Sequence, residues 1–226
     1  MGRVREEGPG AAARSMRLVG GDPCLDFVNT VGGRVDAGRG RGAVRADKLV
    51  TYADLVAWSE HAGLIAGAPA RALRPLAQRR PREAARVLAR AKRLRESLYR
   101  VLRALMEGGR PPATELDALN AELSAARGQD RLVAGPDGLR WRSPDAGGHL
   151  ESVLGPVVRA AAALLTSGDR SRLRQCGGEH CGWLFLDRSR NHSRQWCTMQ
   201  DCGNVSKVRR FRQRRRRRRR PGTRRA

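Results

Sequence analysis

Four of the five cysteines in this 226-residue chain lie between Cys176 and Cys202. They form two pairs of equal spacing, Cys176-x4-Cys181 and Cys197-x4-Cys202, separated by fifteen residues. Each pair can close into a tight loop whose two thiolates converge on one ion. Four thiolates in a tetrahedral array at about 2.3 Å match structural zinc. A site with four protein ligands is closed and leaves no position for a catalytic water, so one structural zinc per chain is the expected cofactor. A disulfide framework and an iron–sulfur cluster are the weaker alternatives. His180 and His192 lie in the same stretch and could each replace a cysteine. With four sulfurs already paired, both read as surface residues or as supports for the ligands. Cys24 stands far off in an apolar stretch and reads as a buried structural thiol.

The sequence after the last cysteine, "CGNVSKVRRFRQRRRRRRR", leads straight into a basic helix. Asn204 or Ser206 can cap it. Val205, Val208 and Phe211, three apart, are expected to form a narrow apolar stripe that docks on the metal unit. Lys207, Arg209, Arg210, Arg212 and Arg214 would then face outward and are the candidate nucleic-acid contacts. Arginine suits that role because its planar fork can bond phosphate or guanine through two parallel hydrogen bonds. The seven arginines of Arg214–Arg220 repel one another, so disorder is expected there, with phosphate contacts that carry no sequence information.

Charge supports the same partner. The formal net charge is +24 and the pI about 11.6. Of the 46 Lys and Arg residues, 13 fall within Lys207–Ala226, a stretch without one acid. Such a field attracts polyanions, nucleic acid first and anionic membrane second. Residues 1–15 lack the apolar stretch of a secretory signal, and no run approaches 18 apolar residues, so no membrane span is expected. A cytoplasmic protein, with nucleoid association open to it, follows as the expectation. There thiols stay reduced, which favours metal over disulfides. No nucleophile elbow, phosphate-binding glycine loop or HExxH motif occurs, and an enzyme is not expected.

The elements that must position the cysteines read as an α+β chain. A mainly helical N-terminal domain with a small β-sheet is followed by a small zinc finger, hairpin plus helix, and a basic tail. The expected boundaries are an unstructured extension over 1–15, the helical domain over 16–168, the finger over 173–213 and a disordered Arg-rich tail over 214–226. Met16, where patterned sequence begins, is an alternative start. "CLDFVNT" (24–30) alternates and reads as a short buried strand. "GGRVDAGRGRG" (32–42) reads as a flexible basic loop. Thr51 can cap a helix that stops near Gly63. The strongest helix runs from Pro81 to the glycines at 108 and 109. Thr114 with Asp117 resembles a capping box that opens a helix to about Ala126. Gly135-Pro136-Asp137-Gly138 turns a hairpin over Arg131–Ser143, and Leu150–Leu165 is a last apolar helix. In the finger, Trp183–Leu186 is expected to run out and Arg194–Cys197 to return as a hairpin. Its apolar groups are few, so bound metal is expected to supply on the order of 10 kcal/mol toward folding.

Taken together, "WLFLDRSRNHSRQWC", the flanking cysteine pairs and "CGNVSKVRRFRQRRR" resemble the CGNR zinc finger over about Leu173–Arg216. The segment "CLDFVNTVGGR", then Asp47, Leu49 and "TYADLVAWSEHAGL", resembles the ABATE domain that accompanies it. The resemblance implies a transcriptional regulator that binds DNA through the finger, with Cys176, Cys181, Cys197 and Cys202 on the metal. One position departs from the motif: Val205 stands where the motif that names the finger ends in Arg. The leading expectation is therefore a DNA-binding regulator acting on duplex DNA. Its helical domain would sense a small-molecule effector, bind a partner or form a homo-oligomer. An RNA- or ribosome-associated zinc protein is the alternative. Asp26 and Asn29 either line a pocket or, as such groups more often do, bond neighbouring backbone.

Overall fold

A computed structural model describes residues 10–34, 46–128, 130–136, 138–142 and 148–219. Most of the basic loop expected over 32–42, the first nine residues of the N-terminal extension and the last seven of the tail lie outside the described residues.

Helices dominate. They are α1 (Ala11–Arg14), α2 (Pro23–Val28), α3 (Tyr52–His61), α4 (Gly67–Arg79), α5 (Pro81–Met106), α6 (Ala113–Arg127), α7 (Leu154–Thr166) and α8 (Asn204–Arg219). Among the described residues, three two-stranded antiparallel sheets join them: β1 (Val31–Gly32) with β2 (Ala46–Asp47), β3 (Arg131–Gly135) with β4 (Gly138–Arg142), and β5 (Leu173–Gln175) with β6 (Leu184–Leu186).

Local chemistry explains most of these. Thr51 and Asp54 form a reciprocal capping box at the start of α3. Pro81 opens α5, where its fixed φ suits the first turn and its missing N–H costs nothing. From there Val87, Ala91, Leu94, Leu98, Val101 and Leu102 present one buried face. The β3–β4 pairing runs from Arg131 opposite Arg142 to Gly135 opposite Gly138, the expected hairpin.

Three expectations are corrected. The stretch Cys24–Thr30 is not a strand. Pro23–Val28 is helical, because Asp22 accepts the Cys24 N–H at 2.9 Å and Pro23 sits at the first turn. Every residue from Cys24 to Val28 is buried, so the segment shows no exposed face from which a period could be read. The extension is structured at its end: α1 packs on α3, Ala13 is fully buried, and the Gly10 N–H bonds Asp54 Oδ1 at 2.8 Å. Thr114 does not cap α6, which begins one residue earlier after Pro112, without a side-chain cap. Helix α4 occupies a stretch where the sequence reading places no element. It carries Pro75 in its interior.

One apolar core fills the space between α2, α3, α5 and α7, with Phe27 and Trp58 in contact at 5.2 Å between ring centres. Leu173, Leu184 and Leu186, from β5 and β6, belong to that same core. The stretch expected to form a separate finger is thus rooted in the helical body.

Candidate metal centre

The first cysteine loop spans the connection between β5 and β6. Cys176 and Trp183 close it, the Cys176 N–H donating to the Trp183 carbonyl at 2.8 Å. Two glycines make the loop close enough. A Cβ at Gly178 would stand 2.9 Å from Cys202 Sγ, and one at Gly182, where φ is 69°, would collide with the Arg34 carbonyl.

The expected hairpin between 183–186 and 194–197 does not form. Strand β6 pairs with β5, Leu173 opposite Leu186 and Gln175 opposite Leu184. Its other edge is taken by the helical body. Asn29 Nδ2 donates to the Leu184 carbonyl and Asn29 Oδ1 accepts the Leu184 N–H, both at 2.8 Å, while the Leu186 N–H donates to the Gly20 carbonyl at 2.8 Å. No edge is left for 194–197. Instead, residues 187–194 wrap around the buried Asp187 carboxylate, which accepts from Ser189 N, Ser189 Oγ and Arg194 N. The returning segment touches the first loop through the Gly177 N–H on the Gln195 carbonyl at 2.9 Å.

Arg194 fastens this arrangement. Its guanidinium stacks 4.2 Å above the Phe185 ring and donates to the carbonyls of Val19, Trp196 and Cys197. Nothing in the cysteine spacing marks Arg194 for this role. Asp26 and Asn29 both bond backbone: Asp26 Oδ1 accepts the Gly20 N–H at 2.8 Å. Asn29 and Asp26 thus tie α2 to the finger, directly and through Gly20.

The four sulfurs of Cys176, Cys181, Cys197 and Cys202 all lie within 4.8 Å of one another. Cys181–Cys197 is 3.6 Å and Cys197–Cys202 is 3.5 Å. Tetrahedral ligands at about 2.3 Å from zinc stand roughly 3.8 Å apart, whereas a disulfide requires about 2.05 Å. The spacing fits a shared ion and not a bond. Electrostatics agree. Hydrogen bonds from the Cys181 and Cys197 thiols, with the backbone N–H groups of Cys197 and Gly178, pull Cys176 down to about 2. The same sulfur contact with Cys176 pushes Cys181 up to about 12 and drives Cys197 upward as well, while burial raises Cys202. Four thiolates crowded this closely repel one another and need a divalent ion to balance them. His180 is exposed beside Glu179, His192 lies on the turn with φ 48°, and neither belongs to the sulfur cluster. Cys24 is fully buried, and burial pushes its thiol up, leaving it neutral.

The second loop is fixed by Thr198, whose hydroxyl accepts the Asp201 N–H and donates to the Asp201 carboxylate. A wide helical turn, Met199–Gly203, leads directly into α8. Here the expectation of a docked stripe is corrected. Val205, Val208 and Phe211 are 69%, 49% and 65% exposed. The zinc loops meet α8 on the side that carries Ser206, Arg209 and Arg210, and Val208 and Phe211 lie on the other side. Helix α8 continues through Arg219, beyond the point where disorder is expected, in keeping with the good helix propensity of arginine. Among the candidate contacts, Arg209 pairs with Glu179 and Arg210 lies 6.0 Å over the Trp196 ring. Lys207, Arg212 and Arg214 are exposed, with no ion pair among the described residues. Val205 sits one helical turn before Arg209, on the same side of α8.

Two family models match the chain. The ABATE model, described as "Putative stress-induced transcription regulator", covers residues 21–168, and the CGNR zinc finger covers 172–215. No curated protein matches. The cysteine tetrad and the finger model together define a site for one structural zinc, held by sulfur alone. Neither family is an enzyme family, and among the described residues no helix is long and apolar enough to cross a membrane. Matched over more than half its length, with the finger following directly, the chain belongs to the ABATE family.

Proposed function

We propose that this zinc-binding regulator is a DNA-binding protein that presents α8 to duplex DNA, with Lys207, Arg209, Arg210, Arg212 and Arg214 meeting phosphates or base edges. The observation that carries this reading is the launch of an acid-free helix straight from the second zinc loop, with every side chain from Val205 to Arg215 except Ser206 exposed. The zinc supplies a fixed starting direction, and the arginines supply charge and bidentate donors. Arg209 or Arg210 would stand in for the motif arginine whose place Val205 takes. The helical body would act as sensor, partner-binding or dimerising unit in a non-catalytic, cytoplasmic protein associated with the nucleoid.

The test is the salt dependence of binding. Deleting Gln213–Ala226 should weaken binding to all duplex sequences and lower the slope of log K against log salt by about 0.9 for each phosphate no longer neutralised. An unchanged slope would mean that the tail does not touch phosphates. One observation favours a second reading, RNA binding: Phe211 is exposed and offers a stacking surface for an unpaired base. A single aromatic is a poor single-strand platform, so the duplex reading is preferred. Competition between duplex DNA and structured RNA at matched salt separates the two.

A further inference from the structure

Helix α8 has an inner and an outer side, and its contacts tell them apart. Arg209 reaches Glu179 and Arg210 lies over Trp196, so the direction midway between them faces the zinc loops. At about 100° per residue, the opposite direction falls among Val208, Phe211 and Arg215. Lys207 and Arg212 flank that outer face. Val208 and Phe211 are about half and two-thirds exposed, and Arg215 is exposed as well. Two apolar side chains therefore sit at the centre of an acid-free, strongly basic helix face, with an arginine between them.

Charge decides what can cover this face. From Asn204 to Arg219 the helix carries ten Lys and Arg residues and no acid, so a second copy would set like charges against like. An anionic membrane would meet the cations through its headgroups, but two apolar side chains bury too little surface to hold a helix in the interface. The major groove of duplex DNA combines what the face requires: phosphates along both rims for the flanking cations, acceptors on guanine for an arginine, and an apolar group, the thymine 5-methyl, on its floor. The groove is about 12 Å wide and admits a single helix.

We propose that α8 reads base sequence through this outer face, with Val208 and Phe211 packed on thymine 5-methyl groups, so that the protein selects thymine-containing sites and distinguishes thymine from uracil. The inference rests on the reading of α8 as a duplex-DNA element and adds to it the pair of side chains that carry sequence preference.

The experiment uses the zinc-loaded full chain. Duplexes enriched by binding from a random library are resynthesised with each thymine replaced singly by deoxyuridine, which removes one methyl and keeps the base pair. Affinity is read by fluorescence anisotropy at fixed salt. Uracil at one or two positions should weaken binding about fourfold each, the equivalent of one buried methyl. Phe211→Ala and Val208→Ala should each abolish the discrimination at one such position, with zinc content and salt slope unchanged. Equal binding of thymine and uracil duplexes at every position, with salt-dependent duplex binding intact, overturns this inference alone. So does discrimination that survives both substitutions. A Phe211→Ala variant whose only change is weaker partition onto anionic vesicles, or weaker self-association, overturns it in favour of that occupant. Failure of the full chain to bind duplex DNA removes the functional reading along with it.

Discussion

Replacing Asn29 with Ala should separate the finger from the helical body. The Asn29 side chain is buried and holds both backbone groups of Leu184, one donor and one acceptor, at 2.8 Å each. Leu184 is itself fully buried, so truncation to Ala strands a backbone N–H and a carbonyl away from water. Each stranded group costs about 1–3 kcal/mol, and the cavity left by the amide is small beside that. A loss of about 3–4 kcal/mol is expected, a large share of the 5–15 kcal/mol typical of a folded domain. The loss is local to the junction, which gives it a signature besides its size. In the native chain, Leu173, Leu184 and Leu186 share the body's core, so urea should unfold body and finger in one transition. In Asn29→Ala the finger should melt first. The two can be followed separately by zinc release to a chromophoric chelator and by helical circular dichroism. Coincident transitions in the variant, or a stability within about 0.5 kcal/mol of the native chain, would refute the claim that Asn29 is the tie.

Removing zinc should act on the sulfur loops and not on their base. After chelation, amide exchange should accelerate across 176–182 and 195–203, where the sulfurs organise the backbone, while Leu184–Leu186 stays protected by β5, Asn29 and Gly20. Equal acceleration across β6 would show that the metal, not the body, holds the strand. Metal analysis should give one zinc per chain. A third expectation concerns pH. Burial raises the Asp26 carboxyl to about 6, against hydrogen bonds from the Gly20 and Val19 N–H groups that favour its charge. The folded state then binds more protons than the unfolded chain between about pH 4 and 6, so this group makes stability fall as pH rises through that window and stay lower above it. Asp26→Asn keeps an acceptor for Gly20 and cannot ionise. The variant should lose that decline and gain up to about 3 kcal/mol at neutral pH, and a difference from the native chain that is constant from pH 4 to 7 would contradict the assignment.

How much of this was legible in the sequence follows from where each property resides. The sulfur tetrad could be read because metal geometry constrains residue type and spacing directly, and nothing else in a reduced cysteine-poor chain demands two equal pairs. Helices α3 and α5 could be read because a capping box, an N-terminal proline and a one-sided apolar period are local. The segment 24–30 misled for the converse reason. It is buried on all sides by α5, α7 and β6, so its pattern reports burial without direction, and only the Asp22-Pro23 pair announces a helix. The pairing of β6 could not be seen either. Leu184–Leu186 offers two edges, and the choice of partner depends on Asn29 and Gly20, more than 150 residues away in the chain. The stripe on α8 is the instructive failure. Three apolar residues at helical spacing imply a docked face only if a surface lies opposite, and the zinc loops meet the side of Arg209 and Arg210 instead. That orientation is why the face of Val208 and Phe211 stays open. A helix held at one end by a metal loop, with its apolar residues turned outward among arginines, has no internal use for them, and the reason for their presence must be sought in what the helix meets.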